Sequence, residues 1–191
     1  MTDISVDSAS SRYRIYGAEL SPYSVKVRSY FRFKQIPHQW IIRSTDTMDD
    51  FAKFAKLPII PLVVSPQLQG AQDSTLIIQH LESEHQKDSI YPQDTTVNFI
   101  STLLEEFGDE WGNKWMFHYR WARDIDQLAS ARRIAQLTQP DANAEQLDQL
   151  TEQVRLRMTG RVWFVGSNPE TAPQIEASLH LALKQLEVHL E

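Results

Sequence analysis

Ser21-Pro22-Tyr23-Ser24 lies between a β-like run that ends at Gly17 and an amphipathic helical pattern that begins near Val25. A strand that turns sharply into a helix aims backbone N–H groups and the positive end of the helix dipole at one point, where an anion is stabilised. A thiolate suits such a point, and a serine hydroxyl beside it can donate a hydrogen bond. The chain contains no cysteine, so a sulfur handled there must arrive on a ligand. Taken alone, Ser-Pro ahead of a helix is simply an N-cap with proline in the first turn. Two further segments add to it. Leu57-Pro58-Ile59-Ile60-Pro61-Leu62-Val63-Val64 puts a proline at the mouth of an apolar, β-branched run, where it suits a strand start or a cis turn. Gln72-Asp73-Ser74 precedes a helical apolar pattern at Leu76, Ile77 and Leu81, which places an acid and a hydroxyl at a second helix N-terminus.

The elements that must position these residues follow from the patterning. Tyr13 to Gly17 reads as a first strand, followed by a helix with Val25, Val27, Tyr30 and Phe31 on its apolar face and Lys26, Arg28, Arg32 and Lys34 outward. Pro37 ends that helix, and His38 to Ile42 reads as a second strand. Thr45 to Phe54 carries a helical signal, Pro61 to Val64 a third strand, and Pro66 and Gly70 bracket a turn into a short fourth strand ahead of Asp73. The order is β-α-β-α-β-β-α. Turn chemistry from Ser89 to Asp94 marks a boundary. Beyond it, Thr96 to Asp124, Asp126 to Leu137, Ala144 to Met158 and Pro173 to Leu190 read as helices, with Trp111 and Trp115 expected in the core. The polar leader up to Ser11 is expected to be loose. The domains are read as 12–87 and 95–191.

Composition narrows the function classes. With 191 residues, 41% of them hydrophobic, the chain can bury an ordinary core. A net charge of -6 disfavours phosphate backbones and anionic lipid, so neither nucleic acid nor membrane is an expected partner. No apolar run approaches spanning length, and the first residues lack a signal-peptide pattern, so the expected location is cytoplasmic. His80, His85 and His118 lack companions at ligand spacing, and no metal is expected.

Taken in order, Tyr16-Gly17, Ser21-Pro22, Lys26-Val27-Arg28, Ile60-Pro61-Leu62 and Asp73-Ser74 with Ile77 and Leu81 resemble the N-terminal domain of the glutathione S-transferase superfamily, from about Arg12 to Glu84. The first motif is similar to the serine-type members, and its position is that of the Cys-Pro-Tyr-Cys motif in glutaredoxin-type proteins. The resemblance implies an α/β thioredoxin-like domain followed by an all-α domain, with glutathione as co-substrate and a small hydrophobic electrophile as the second substrate. It also implies roles. Ser21 would be the catalytic hydroxyl that holds the thiolate, with Tyr16 and Ser24 as rival donors. Ile60, ahead of a cis Pro61, would pair its backbone with the peptide, while Gln72, Asp73 and Ser74 would meet the γ-glutamyl end. His118 and Arg120 would serve the second substrate.

The chain departs from the family pattern at two points. Ile59 stands where a lysine precedes the cis proline, leaving Lys56, Lys53 or Arg43 for the glycyl carboxylate. The family's buried helix with a Ser/Thr-x-x-Asp capping box is not met before Glu191, so the helical domain reads as truncated, the alternative being that the Gly166 turn and Thr171 to Gln174 take its place. Apolar positions such as Leu147, Val154, Leu179 and Leu186 then predict a homodimer. Two functions remain open: a glutathione transferase, and a transferase-fold module that binds without turnover.

Overall fold

The computed structural model describes residues 12–190, so the leader up to Ser11 lies outside the described residues. The chain divides into two compact units, one running to Tyr91 and taking in Leu137–Pro140, the other made of Pro92–Gln136 and the residues from Asp141 onward.

The first unit contains β1 (Tyr13–Gly17), α1 (Pro22–Phe33), β2 (His38–Ile42), α2 (Met48–Ala52), β3 (Leu62–Val64), β4 (Gly70–Gln72) and α3 (Ser74–Glu84), in the predicted order. The sheet has the order β2-β1-β3-β4. β1 and β2 are parallel, a pairing that needs a crossover and receives it from α1, while β3 runs antiparallel to both β1 and β4. Side chains alternate across the sheet. Ile15 and Val63 join Val27, Phe31, Ile77 and Leu81 on one face, and Tyr16, Leu62 and Val64 meet Phe51 on the other. The helix expected over Thr45 to Phe54 is confined to α2. The Thr47 hydroxyl explains why: it accepts from Ser44 N–H at 3.0 Å and donates to the Ile42 carbonyl at 2.9 Å, which keeps 44–47 as a turn.

A buried polar knot closes this unit. The Glu82 carboxylate receives the Lys34 ammonium at 2.8 Å, the Tyr30 hydroxyl at 2.7 Å and the Ser89 hydroxyl at 2.8 Å. Lys34 also donates to the carbonyls of Lys87 at 2.7 Å and Asp88 at 3.1 Å, which ties α1 to the segment leaving α3. Burial pushes the Glu82 carboxyl up, but the bonds from Lys34, Tyr30 and Ser89 together outweigh it and hold the group below the usual carboxylate range.

The rest of the chain is helical: α4 (Thr95–Phe107), a π-helical turn (Gly108–Gly112), α5 (Asn113–Trp121), α6 (Asp124–Thr138), α7 (Ala144–Thr159), a 3-10 turn (Val162–Val165) and α8 (Ala172–Leu190). Asp94 caps α4 by accepting from Thr96 and Val97 N–H, both at 2.9 Å, and Asn143 and Gln146 form a reciprocal capping box on α7. At Gly166 the chain adopts φ +70°, a left-handed turn suited to glycine, after which Asn168 accepts from Glu170 and Thr171 N–H and leads into α8.

Trp111, expected in the core, is 54% exposed with the Lys114 ammonium 4.2 Å from its ring. Leu103 and Phe107, which precede it in the apolar pattern, are exposed as well, so this part of the pattern lies outside the core. Trp115 is half-buried and donates its indole N–H to the Ser178 hydroxyl at 2.8 Å. Leu147, Val154 and Leu179 are half-buried, whereas Leu186 is exposed. α4 buries none of its residues and exposes Val97, Phe99, Ile100 and Leu103.

Candidate functional site

The strand register assembles one end of the sheet. Tyr16 pairs with Leu62, and Leu62 with Gln72, so the exit of β1, the entry of β3 and the exit of β4 form one row. Ser21 follows the first, Ile60-Pro61 precedes the second, and Asp73-Ser74 follows the third. The Ile60-Pro61 peptide bond is cis and leads directly into β3, a central strand.

Ser21 is the N-cap of α1. Its backbone is extended, its N–H donates to the Ala18 carbonyl at 3.0 Å, and its Oγ accepts from Ser24 N–H at 3.2 Å. A hydroxyl that accepts in this way still has its own proton to donate. The two rival donors are enclosed. Tyr16 is fully buried, donates to Asp50 and accepts from Arg14, and burial followed by the Asp50 bond pushes its phenol up to about 12. Ser24 is also fully buried, beneath Gly17.

Asp73 caps α3 by accepting from Thr75 N–H at 3.0 Å and Leu76 N–H at 3.2 Å. Its backbone sits at φ 78°, ψ 116°, a conformation a non-glycine residue adopts only when its surroundings impose it. Ser74, the first residue of α3, is buried. The Lys26 ammonium lies 3.4 Å from the Thr75 hydroxyl and so links α1 to the first turn of α3.

Gln72 has a different task from the ligand contact expected of it. Its amide oxygen accepts from Lys56 N–H at 2.8 Å and Leu57 N–H at 3.0 Å, and its amide nitrogen donates to the carbonyls of Leu57 at 2.8 Å and Ile59 at 2.7 Å. These bonds use both acceptor sites and both donor protons of the amide. Gln72 therefore clamps the loop that leads into Ile60-Pro61. Ile60 is half-buried against the core face of Tyr16 and Leu62. Among the candidates for a glycyl carboxylate, Lys53 lies 3.4 Å from Asp50 and the Arg43 guanidinium stacks 4.9 Å from the Phe51 ring centre, while Lys56 is exposed.

His118 does not present itself to a second substrate as expected. It is 1% exposed, with Nδ1 2.8 Å from the Ser167 hydroxyl and Nε2 3.5 Å from Glu176, whose carboxylate also receives Arg123 at 2.7 Å. Arg120 is half-buried, and burial pulls its guanidinium below the usual range. Within the helical unit, Leu104, Phe107, Trp115, Met116, Leu179 and Leu183 line an apolar groove. Among the described residues, no group of three or more His, Asp or Glu could hold a metal ion, and no helix is long and apolar enough to cross a membrane.

A mixed four-stranded sheet with this helix order, followed by a helical region, defines a thioredoxin-like α/β domain joined to an all-α part. Residues 15–89 match the family model described as the glutathione S-transferase N-terminal domain, and the resemblance to that superfamily read from the sequence holds over this segment. Many solved structures match this chain, and three illustrate the shared fold. A glutathione S-transferase from Methylobacterium radiotolerans, in complex with glutathione sulfonate, aligns at 20% identity and a TM-score of 0.51 over 77% of this chain and 63% of its own. A glutathione S-transferase from Rhodospirillum rubrum aligns at 16% identity and a TM-score of 0.50 over 86% of this chain and 84% of its own. The Tau class glutathione S-transferase of mango, Mangifera indica, aligns at 16% identity and a TM-score of 0.51 over the same shares, 86% and 84%. This chain thus spans less than two thirds of the length of the Methylobacterium protein. No curated protein sequence matches it.

Proposed function

We propose that the chain binds glutathione at the Tyr16–Leu62–Gln72 end of the sheet and conjugates it to a small hydrophobic electrophile. The observation that carries this reading is the register, which brings the Ser21 turn, Ile60 and Asp73-Ser74 to one edge. Ser21 would donate its hydroxyl proton to the sulfur, and together with the α1 N-terminus it would favour the thiolate over a thiol that otherwise ionises near ~8.5. Ile60 would pair its backbone with the peptide. Ser74 and the first N–H groups of α3 would take the γ-glutamyl carboxylate, and Asp73 the ammonium beside it. The complex of the Methylobacterium protein with glutathione sulfonate supports this ligand class. The protein would act in the cytoplasm as a homodimer, with the unburied apolar face of α4 as a contact surface.

Calorimetric titration with glutathione tests binding, and ultraviolet absorbance of the bound thiolate against pH tests activation. Ser21→Ala should keep its fold and show less thiolate at neutral pH. An unchanged titration in that variant would remove Ser21 from its role. The exposed Ile59 in the place of the family lysine favours a second reading, a module that binds without turnover. Glutathione binding with no conjugation of any electrophile tested would select it.

A further inference from the structure

Glu19, in the turn ahead of Ser21, is held from outside that turn. The Arg28 guanidinium makes a two-pronged bond with Glu19, Nη1 to Oε1 at 2.7 Å and Nη2 to Oε2 at 2.8 Å. The Arg28 guanidinium lies over the Trp40 ring, 4.2 Å from its centre, and its side chain is only 13% exposed. Trp40 in turn presses on the exit of β1, where a Cβ on Gly17 would come within 2.5 Å of its ring. Arg28 stands about two turns beyond Ser21 on α1, so the same helix that Ser21 caps reaches back to grip the turn feeding the cap. Ser21 N–H, bonded to Ala18, sits inside that grip.

We propose that Glu19 and Arg28 are positioning residues, a latch that fixes the Ala18–Ser21 turn and so aims the Ser21 hydroxyl at the incoming sulfur. The proposal rests on the reading of Ser21 as the thiolate's donor. A second effect follows from charge. Glu19 stands two residues from Ser21, and an unpaired carboxylate there would oppose a neighbouring thiolate. Arg28 neutralises it through the same two bonds, so loss of Arg28 both loosens the turn and exposes the site to a like charge. A lysine in its place would keep the charge but give up the planar fork and the stacking on Trp40.

Two measurements on the whole chain test the latch, with Arg28→Ala, Arg28→Lys and the reversed pair Glu19→Arg with Arg28→Glu. The first is amide hydrogen exchange at Ser21 and Ser24, whose N–H groups are held by the Ala18 carbonyl and the Ser21 hydroxyl. The second is the pH midpoint of the bound glutathione thiol. Arg28→Ala should speed exchange at Ser21 and Ser24 about tenfold and raise the thiol midpoint by about one pH unit, the same tenfold change in ionised fraction. Exchange at Val27 and Phe31 should stay unchanged. Arg28→Lys should fall between the extremes, and the reversed pair, which restores the ion pair but not the stacking on Trp40, should slow exchange again relative to Arg28→Ala. Unchanged exchange at Ser21 and Ser24 in Arg28→Ala overturns the latch, as does faster exchange along all of α1, which would mark a merely structural residue. If the unaltered protein fails to bind glutathione, the functional reading falls, and the exchange measurement still decides whether the latch exists.

Discussion

Replacing Lys34 by methionine should unlock the first unit. The lysine and Glu82 side chains are 2% and 5% exposed, so solvent screens their pairing little, and Lys34 also serves two carbonyls. Removing one member of such a buried pair costs about 3–5 kcal/mol, because the other charge is left desolvated. Tyr30, Ser89 and the Ile90 N–H stay on the carboxylate and soften the loss, which places the expected cost near ~3 kcal/mol. Native-state amide exchange at Ile77, Ile78 and Leu81 reads the free energy of this unit alone. The pH dependence adds a check of sign. In the unaltered protein the depressed Glu82 carboxyl contributes stability above the ordinary carboxylate range, and that contribution is lost as pH falls through its folded value. Without Lys34 the carboxyl loses the largest of its lowering influences and rises relative to the parent, so the variant should gain on the parent as pH is lowered from neutral toward mild acid. Lys34→Met with Glu82→Met should recover only part of the loss, since Tyr30, Ser89 and the Lys87 and Asp88 carbonyls then lack their partners. A cost below about 1 kcal/mol, the range of exposed ion pairs, with no narrowing of the gap on acidification would refute the reasoning.

Gly17→Ala should destabilise the first unit by about 1–3 kcal/mol in thermal melts, because its Cβ would meet Trp40 at 2.5 Å and the Ser24 Cβ at 2.9 Å. Asp94→Ala should cost about 1 kcal/mol and fray α4, visible as faster exchange at Thr96 and Val97. Tyrosinate absorbance should show a phenol titrating at about 12 that moves only part of the way back toward the ordinary range in Asp50→Ala, because burial, the larger cause for Tyr16, remains. Since that value is raised on folding, the Tyr16 contribution to stability is present below the ordinary tyrosine range, near ~10, and is lost as pH climbs through 12.

Local rules sufficed for whatever local chemistry decides. The strand and helix order of the first unit, the caps at Ser21 and Asp73, and the proline that opens β3 all depend on residues a few positions apart, and each was legible in the sequence. Side chains whose partners lie far along the chain were not. Nothing near Gln72 announces that its amide will fasten residues 56–59, since that bond crosses from β4 to a loop thirteen to sixteen residues earlier. The Glu82 knot joins α1 to the end of α3 across a separation of 52 residues in its Tyr30 bond, and Glu82 in isolation reads as a surface charge. His118 misled for the same reason: an imidazole beside Arg120 and Trp121 suggests a ligand contact until Ser167, 49 residues on, is found against it. Trp111 was misplaced because helical periodicity marks an apolar face without saying whether anything covers it, and Leu103 and Phe107 ahead of it are exposed too.

The row from Tyr16 through Leu62 to Gln72 has a consequence for how such a protein can change over time. Neighbouring strands cannot slide by one residue without turning every side chain to the opposite face, and in this unit both faces of the sheet are packed. The spacing of the three segments is therefore carried by backbone ladders, which are indifferent to most side-chain identities. Substitutions can accumulate nearly everywhere while the segments stay in step, as in structures only 16–20% identical that keep the fold. Insertions and deletions are another matter. One residue gained or lost within β1, β3 or β4 would move a whole segment out of the row, so the lengths of these short strands should be far more resistant to change than their composition.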